Sequence, residues 1–534
     1  MKPNSKPTII LRNGIIHTLD ERIPKVQSLA IESECISAIG ANDDISILVG
    51  PQTEVVNLEG RTVLPGFVDA HIHLESYALN LDKVDCEAPR LEICLERVRV
   101  IAERASPGDW ILGHGWNQND WDRYGTSEDL DLVAPHNPVY LTAKSLHAGW
   151  ANSRALKFAH VEDSTPDPSD GYIQRNADGI LTGILFEGAM RLMADAVPPT
   201  IGTDIAAKLI SAQEKLWRYG ITGVHDFDGH RCMQALQLLH DRGELGLRVV
   251  KNIQFDELEH ARDLGLHTDF GDPWIRIGNL KIFADGALGP HTAAMITPYN
   301  GEPENTGVLF YDRGELFELF VGAVEAGFAL TVHAIGDRAN HIVLNAFEEL
   351  RLYEVEHNHP RRLHRIEHLQ LLHSDDVTRP ATLDIIASMQ PIHAISDMKM
   401  AKQYWGSRSQ YAYAWRSQLN AGGRLVFGSD APVESPNPFW GLHAAITRHP
   451  LDGSPGSEGW IPKERLDLRD ALRAYIQAPA HAVGLERNFG RLAQNFAADL
   501  IVLEANPLEC SPEELADLKP VGTMVGGVWR YRAF

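Results

Sequence analysis

Thiols are few and scattered in this chain. Its five cysteines, Cys35, Cys86, Cys94, Cys232 and Cys510, are odd in number and never form a CxxC pair. That excludes a disulfide framework and a thiolate zinc site, and it suits a reducing compartment. No run of about 18 apolar residues occurs, so no membrane-spanning helix is expected. The opening MKPNSKPTII lacks the apolar stretch of a signal peptide. A soluble, cytoplasmic protein is the expectation. Positive charge is also short: 49 Lys and Arg against 72 Asp and Glu leave a formal net charge of −23. Neither nucleic acid nor an anionic membrane suits such a surface as a partner, which leaves a small-molecule substrate. Low-complexity blocks, charge runs and solenoid-length repeats are missing as well.

What is present is an ordinary globular composition, 44% hydrophobic and 23% charged, over 534 residues. Single cores stop growing near roughly 250–300 residues, so two or three units are expected. Both ends are rich in β signals. TIILRNGIIHTLD, SLAIESECISAIG and TEVVNLEGRTVL open the chain, and ADLIVLEANP and GTMVGGVWRYR close it. The two ends are expected to fold together as one small β domain.

The middle alternates short apolar strands with helical stretches, the pattern of a parallel α/β fold. DIAAKLISAQEKLWRYG has apolar residues at helical spacing and Gly220 as its stop. Eight strands can be counted: LPGFVDAHIHL, ITGVHDF, LRVVKNIQF, NLKIFADG, ALTVHAIGD, HRIEHLQ, DIIASMQP and RLVFGSDAP. Eight is the number a (β/α)8 TIM barrel needs. Residues 75–215 fall between the first two strands and carry their own strand and helix candidates, so an α+β domain inserted after strand 1 is expected. The expected division is 1–64 with 484–534 as a composite β-sandwich, 65–74 with 216–483 as the barrel, and 75–215 as an inserted substrate-capping domain.

His71 and His73 sit two positions apart on the first strand and therefore project the same way. Alone, such a pair among 24 histidines reads equally as hydrogen-bonded strand-end side chains. The later strands raise its weight, because Lys281, His333, His368 and Asp430 all lie at strand ends. Parallel barrel strands open to one mouth, where these groups can converge on a divalent metal. Lys281 cannot bind a cation as an ammonium. Burial lowers a lysine pKa, and the neutral amine can take up carbon dioxide to give a carboxylate-like carbamate. A lysine paired with Asp285 or another acid fits the sequence equally well.

LPGFVDAHIHL, HAGWANSRAL, TGILFEGAM, GITGVHDF, KIFADGALG, TVHAIGDRA, RIEHLQ, MQPIHAISDM, FGSDAPV and GRLAQNFAADLIVLEANPLE follow one another along the chain. In this series the sequence resembles the amidohydrolase superfamily, in its YtcJ-like branch (amidohydrolase family 3), which includes N-substituted formamide deformylases. The resemblance spans nearly the whole chain. It implies that His71 and His73 bind the more buried metal, that carboxylated Lys281 bridges, and that His333 and His368 bind a second ion. Asp430 is then both ligand and catalytic proton shuttle. The resemblance further implies a composite β-sandwich, one or two metal ions and a homodimer. Zinc fits the donors, as do iron, manganese or nickel. The sequence departs from its relatives after ADGALG, where they commonly carry Ser-Arg and this chain has Pro290 and His291; a substrate-facing arginine is then replaced in part by His291.

Such a site acidifies a metal-bound water toward a pKa of about 7 and polarises a carbonyl, which points to hydrolysis of a C–N bond in an amide or N-substituted formamide. A mononuclear deaminase of an aminated heterocycle is the rival. Relatives of that kind usually carry Glu three residues after the fifth-strand histidine; here Gly336 occupies that position, with Asp337 beside it. A non-catalytic metal sensor would be expected to have lost a ligand, and none is lost. Trp116, Trp121, Tyr124, His147 and Trp150 cluster in the insertion and serve either as substrate pocket or as plain core. His147 resembles a family position near the substrate. Core packing is the simpler account of Trp405 and Trp415. His393 and Asp397 either contact substrate or support ligands, and His225 and Asp226 support them.

Overall fold

The computed structural model describes residues 6–534 apart from 82, 119–120, 122, 145–147, 169–170 and 199–201, with the side chains of 202 and 203 also outside it. The described chain forms two compact units, one of the described residues up to 75 with 206–534 and the other of those in 76–205.

The larger unit contains an eight-stranded sheet whose order follows the sequence. Its strands are β1 (Phe67–Ile72), β2 (Ile221–Asp226), β3 (Arg248–Gln254), β4 (Ile275–Phe283), β5 (Leu330–Ala334), β6 (Arg365–His368), β7 (Ile386–Met389) and β8 (Arg424–Phe427). Every pairing between neighbours is parallel. Strands β2, β5, β6 and β7 are buried along their whole length, as a sheet covered on both faces requires. The ends meet where the Asp430 N–H donates to the His71 carbonyl at 2.7 Å and the His73 N–H donates to Ala431 at 2.9 Å. The result is a nearly closed (β/α)8 barrel, and its last seam runs through three candidate metal ligands, His71, His73 and Asp430.

The helix Gly202–Arg218 leads into β2. Ile205, Leu209, Ala212 and Leu216 form its fully buried stripe at three- and four-residue spacing. Gly220, at φ 82°, provides the left-handed residue that ends the turn beyond it. In the same unit a four-stranded and a six-stranded sheet share a core drawn from both ends of the chain. Leu11, Leu29 and Ile31 pack there with Leu500, Val502 and Met524. Thr62–Pro65 pairs antiparallel with Leu500–Leu503, which ties the C-terminal strands to the segment entering β1.

The smaller unit has its own six-stranded sheet. Trp116, Trp121 and Trp150 lie in its core, with ring centroids 6.0–6.3 Å apart. Among the described residues no helix is long and apolar enough to cross a membrane.

Candidate metal centre

The barrel gathers His71, His368 and Asp430 so that one ligand atom from each lies within 4.8 Å of the others. Asp430 Oδ1 stands 3.4 Å from Nε2 of His71 and 3.4 Å from Nε2 of His73. The ring of His368 is 5.0 Å from that of His71 and 4.5 Å from that of His333. Five of the six sequence-derived ligands therefore meet at the C-terminal ends of β1, β5, β6 and β8. His368 and Asp430 hold φ of 72° and 61°, a region that non-glycine residues rarely occupy. Backbone strain of this kind persists only where the surroundings enforce it, and it gathers at functional sites.

Partners on the far side of each ring fix which nitrogen is free. His71 Nδ1 lies 2.6 Å from Glu367 Oε2, and a carboxylate can only accept, so the proton sits on Nδ1. Nε2 is left as a bare lone pair, fully buried and without a hydrogen bond. His368 Nδ1 donates to Gln390 Oε1 at 3.0 Å, and His333 Nε2 donates to the Gly286 carbonyl at 3.0 Å. Burial lowers the pKa of His71 to about 4 and that of His333 to about 3, and pushes His368 well below its ordinary value. Three neutral imidazoles with one unprotonated nitrogen each are what a divalent ion needs, and the orphaned Nε2 of His71 is the observation that fits this donor set to a metal.

The support for these rings lies deeper in the barrel. Arg365 is almost fully buried and pairs with Glu367 at 2.9 Å. It also donates to the Ala70 carbonyl, Ser388 Oγ and His225 Nδ1, each at 2.8 Å. Burial works against a charged Glu367, but Arg365 and His71 outweigh it and hold the carboxylate well below its usual range. On the other flank, Asp226 accepts the N–H of Leu74 at 2.8 Å and pairs with Lys251 at 2.8 Å. Asp228 lies 3.4 Å from His73 Nδ1. Burial disfavours a charged His73, yet Asp228 and Asp430 more than offset it and raise its pKa to about 10. With two carboxylates flanking it, the ring holds a proton where a cation is favoured.

Lys281 is buried between Phe227 and Phe283, with Nζ 4.8 and 4.6 Å from their ring centroids. Burial lowers its pKa to about 8, so a useful fraction of the amine is neutral near pH 7. Asp285 is not its partner: that carboxylate accepts the N–H groups of Ala294, Ile335 and Gly336 at 2.8–3.0 Å.

The remaining candidates divide. His393 joins the site, its Nε2 buried without a hydrogen bond and 3.7 Å from Asp430 Oδ2. His291 instead bonds Glu302 at 2.7 Å and packs on Tyr299 and Tyr404. Trp116 is fully buried in the smaller unit, its indole N–H donated to the Leu141 carbonyl at 2.9 Å. His147 lies outside the described residues. Asp397 accepts the Tyr413 hydroxyl, and Trp405 and Trp415 are core. Asp69 accepts both the backbone N–H and the hydroxyl of Ser429, at 2.9 and 2.6 Å. Glu367, Arg365 and Asp228 had no role assigned from sequence. The signal was there for the first two, since 365 and 367 share one face of a buried strand and bear opposite charges.

A parallel barrel with neutral histidines and a carboxylate at its C-terminal mouth defines a metal-dependent hydrolase. Comparison with known proteins agrees. The model of the amidohydrolase family matches residues 54–531. The chain is 31% identical over 535 residues to the putative amidohydrolase YtcJ of Bacillus subtilis, covering 97% of this chain and 98% of that one. It is 30% identical over 542 residues to the N-substituted formamide deformylase of Arthrobacter pascens, covering 98% of each. A solved metal-dependent hydrolase of Pyrococcus furiosus superposes with a TM-score of 0.77 at 28% identity, covering 94% of this chain and all of that one. The chain belongs to the amidohydrolase family. It is a hydrolytic enzyme acting on carbon–nitrogen bonds other than peptide bonds.

Proposed function

We propose that the protein hydrolyses the C–N bond of an amide or N-substituted formamide bearing an apolar substituent. The observation that carries this is the set of neutral imidazoles converging with Asp430, with the Nε2 of His71 left unpartnered in a buried site. His71, His73, His333, His368 and Asp430 would hold the metal, zinc being the ion that best suits imidazole and carboxylate donors. When bound, a divalent ion supplies Lewis acidity, which lowers the pKa of water to about 7 and polarises a carbonyl.

The chain's own groups do the rest. Asp430 takes the proton of the attacking water and passes it to the leaving nitrogen, one carboxylate serving two successive steps. His393, unpartnered at Nε2 and beside Asp430, is placed to donate to the oxyanion of the tetrahedral intermediate. The neutral amine of Lys281 can add to carbon dioxide and lose one proton to give a carbamate, which would offer a carboxylate-like donor if a second ion were held. Beside Lys281 a pocket is lined by Gln254, Phe255, Asp256, Phe283, Phe310 and Tyr311. Its aromatic rings favour an apolar group on the substrate, and the deformylase among the relatives supports a formamide.

Divided by function, residues 65–74 with 216–483 carry the chemistry, 1–64 with 484–534 form the β-sandwich, and 75–215 the insertion. The reading is tested by following formate and amine release from N-aryl and N-benzyl formamides. Turnover is expected in the zinc-loaded protein, lost on chelation and restored by zinc; turnover indifferent to chelation would reject it.

A further inference from the structure

Four buried side-chain atoms in and beside the metal ligands have no hydrogen-bond partner among the described residues, and they differ in kind. Nε2 of His71 is the lone pair assigned to the metal. Gln390 gives its Oε1 to the His368 ring at 3.0 Å, so its unpartnered Nε2 is a donor. The other two are Nε2 of His393 and Oε1 of Gln370, and their residues touch: Gln370 Nε2 lies 3.4 Å from His393 Nδ1.

The two neighbours of His393 agree on its proton. Nε2 faces Asp430 Oδ2 at 3.7 Å, and a carboxylate can only accept, so the ring proton belongs on Nε2. Nδ1 is then an acceptor and calls for the amide N–H of Gln370, which leaves the amide oxygen of Gln370 as the unpartnered atom. That side chain is only 2% exposed. Its position is enforced by the backbone. The chain leaves β6 through two consecutive residues of positive φ, His368 at 72° and Leu369 at 44°, and the Gln370 carbonyl accepts the Tyr413 N–H at 2.7 Å. Of the four atoms, then, one binds the metal, two donate, and Gln370 Oε1 is the acceptor left for something that enters the site. Buried acceptors are almost always paired, and leaving one unpaired is costly.

We propose that Gln370 selects the substrate by accepting its amide N–H, so that the enzyme cleaves N-monosubstituted amides and rejects N,N-disubstituted ones. The inference rests on the amide-hydrolase reading above and narrows its substrate class. An amide substrate brings a carbonyl oxygen, which suits the donors, and its N–H is the group that suits this acceptor. Holding that hydrogen also fixes the direction of the nitrogen lone pair that Asp430 must protonate, a positioning effect of the kind that accelerates a proton transfer. A disubstituted amide has no hydrogen to offer, and its second substituent meets the buried oxygen instead.

The test is kcat/KM of the zinc-loaded full chain for N-benzylformamide and N-benzyl-N-methylformamide. The first is expected to be preferred by at least about 30-fold, because the second leaves the acceptor unpaired. Gln370→Met keeps the side-chain length without either amide atom and should lose most of that preference, with the larger fall on N-benzylformamide. Gln370→Glu keeps an acceptor oxygen and should keep the preference. Thermal melting checks that both variants are folded, and the preference of the parent enzyme is a test independent of either. Equal falls on both substrates in Gln370→Met would reduce Gln370 to a support for His393 and overturn the proposal. Similar kcat/KM for both formamides in the parent would also overturn it, while leaving the amide-hydrolase reading intact. Turnover of no amide at all, with ammonia released from a heterocycle, would bring down that reading and this one together.

Discussion

His71 Nδ1 and Glu367 Oε2 are 2.6 Å apart, with both side chains fully buried. This one contact decides which nitrogen of His71 is free for a metal, and Arg365 on the other side decides that Glu367 stays ionised. The polar interior of the barrel is thus organised around the orientation of a single imidazole.

Glu367→Gln tests that relationship. The amide keeps the volume but loses the charge that favours an Nδ1 proton, so the ring is no longer held in one tautomer. Groups that orient metal ligands are typically worth about 10- to 100-fold in metal affinity, and a loss of that size is expected here by competition with a chelator. Stability should fall too, because Arg365 keeps a buried charge without its partner, at roughly 3–5 kcal/mol. Unchanged metal affinity would mean that Glu367 serves only to neutralise Arg365.

Lys281→Ala tests the bridging role. Protein equilibrated with ¹³C-bicarbonate should give a carbamate carbon signal that the variant lacks, together with loss of bound metal and of turnover. A variant with full activity and unchanged metal content would remove Lys281 from the site.

His364 gives a prediction in pH that does not involve the metal. Its ring is fully buried, accepts the Leu330 N–H and faces Glu354 at 3.0 Å, and burial lowers its pKa to about 4. An unfolded histidine titrates near 6.5. Between these values the unfolded chain holds the extra proton, so stability rises with pH. The contribution is complete above pH 6.5 and is lost as pH falls toward 4. His364→Gln should therefore lose less stability than the parent between pH 7 and pH 5, by roughly 2 kcal/mol at about 1.4 kcal/mol per unit. Urea unfolding at the two pH values checks this, and parallel losses in both proteins would contradict it.

Phe283 and Phe310 are about half exposed beside Lys281. If they receive the apolar part of the substrate, Phe310→Ala should raise KM several-fold for benzyl-substituted formamides and leave methyl-substituted ones unaffected. An equal effect on both would place the substituent elsewhere.

Much of this was legible in the sequence, and the limits are physical. All eight barrel strands could be read because a doubly covered parallel strand must be a short apolar run, and the candidate ligands could be singled out because they lie at strand ends. Glu367 and Arg365 were harder. Their role depends on neighbours nearly 300 positions away across a closing barrel, and local pattern does not encode which strand closes on which. The tryptophans of residues 76–205 were ambiguous for the opposite reason: an aromatic cluster looks the same in sequence whether it packs a core or lines a pocket. Trp116 proved to be core. His291 differs again, since its neighbour Glu302 lies eleven residues away in an irregular segment where spacing predicts no contact.

The central claim is that a metal held by the His71–His368–Asp430 cluster cleaves the C–N bond of an amide. The most direct measurement is a turnover screen of the zinc-loaded protein and its Asp430→Asn variant against N-substituted formamides, N-acyl amines and aminated heterocycles. The account predicts amine release from at least one formamide or amide, nearly abolished by Asp430→Asn in a protein that remains folded. Ammonia released from a heterocycle with no amide cleaved, or normal turnover by Asp430→Asn, would contradict it.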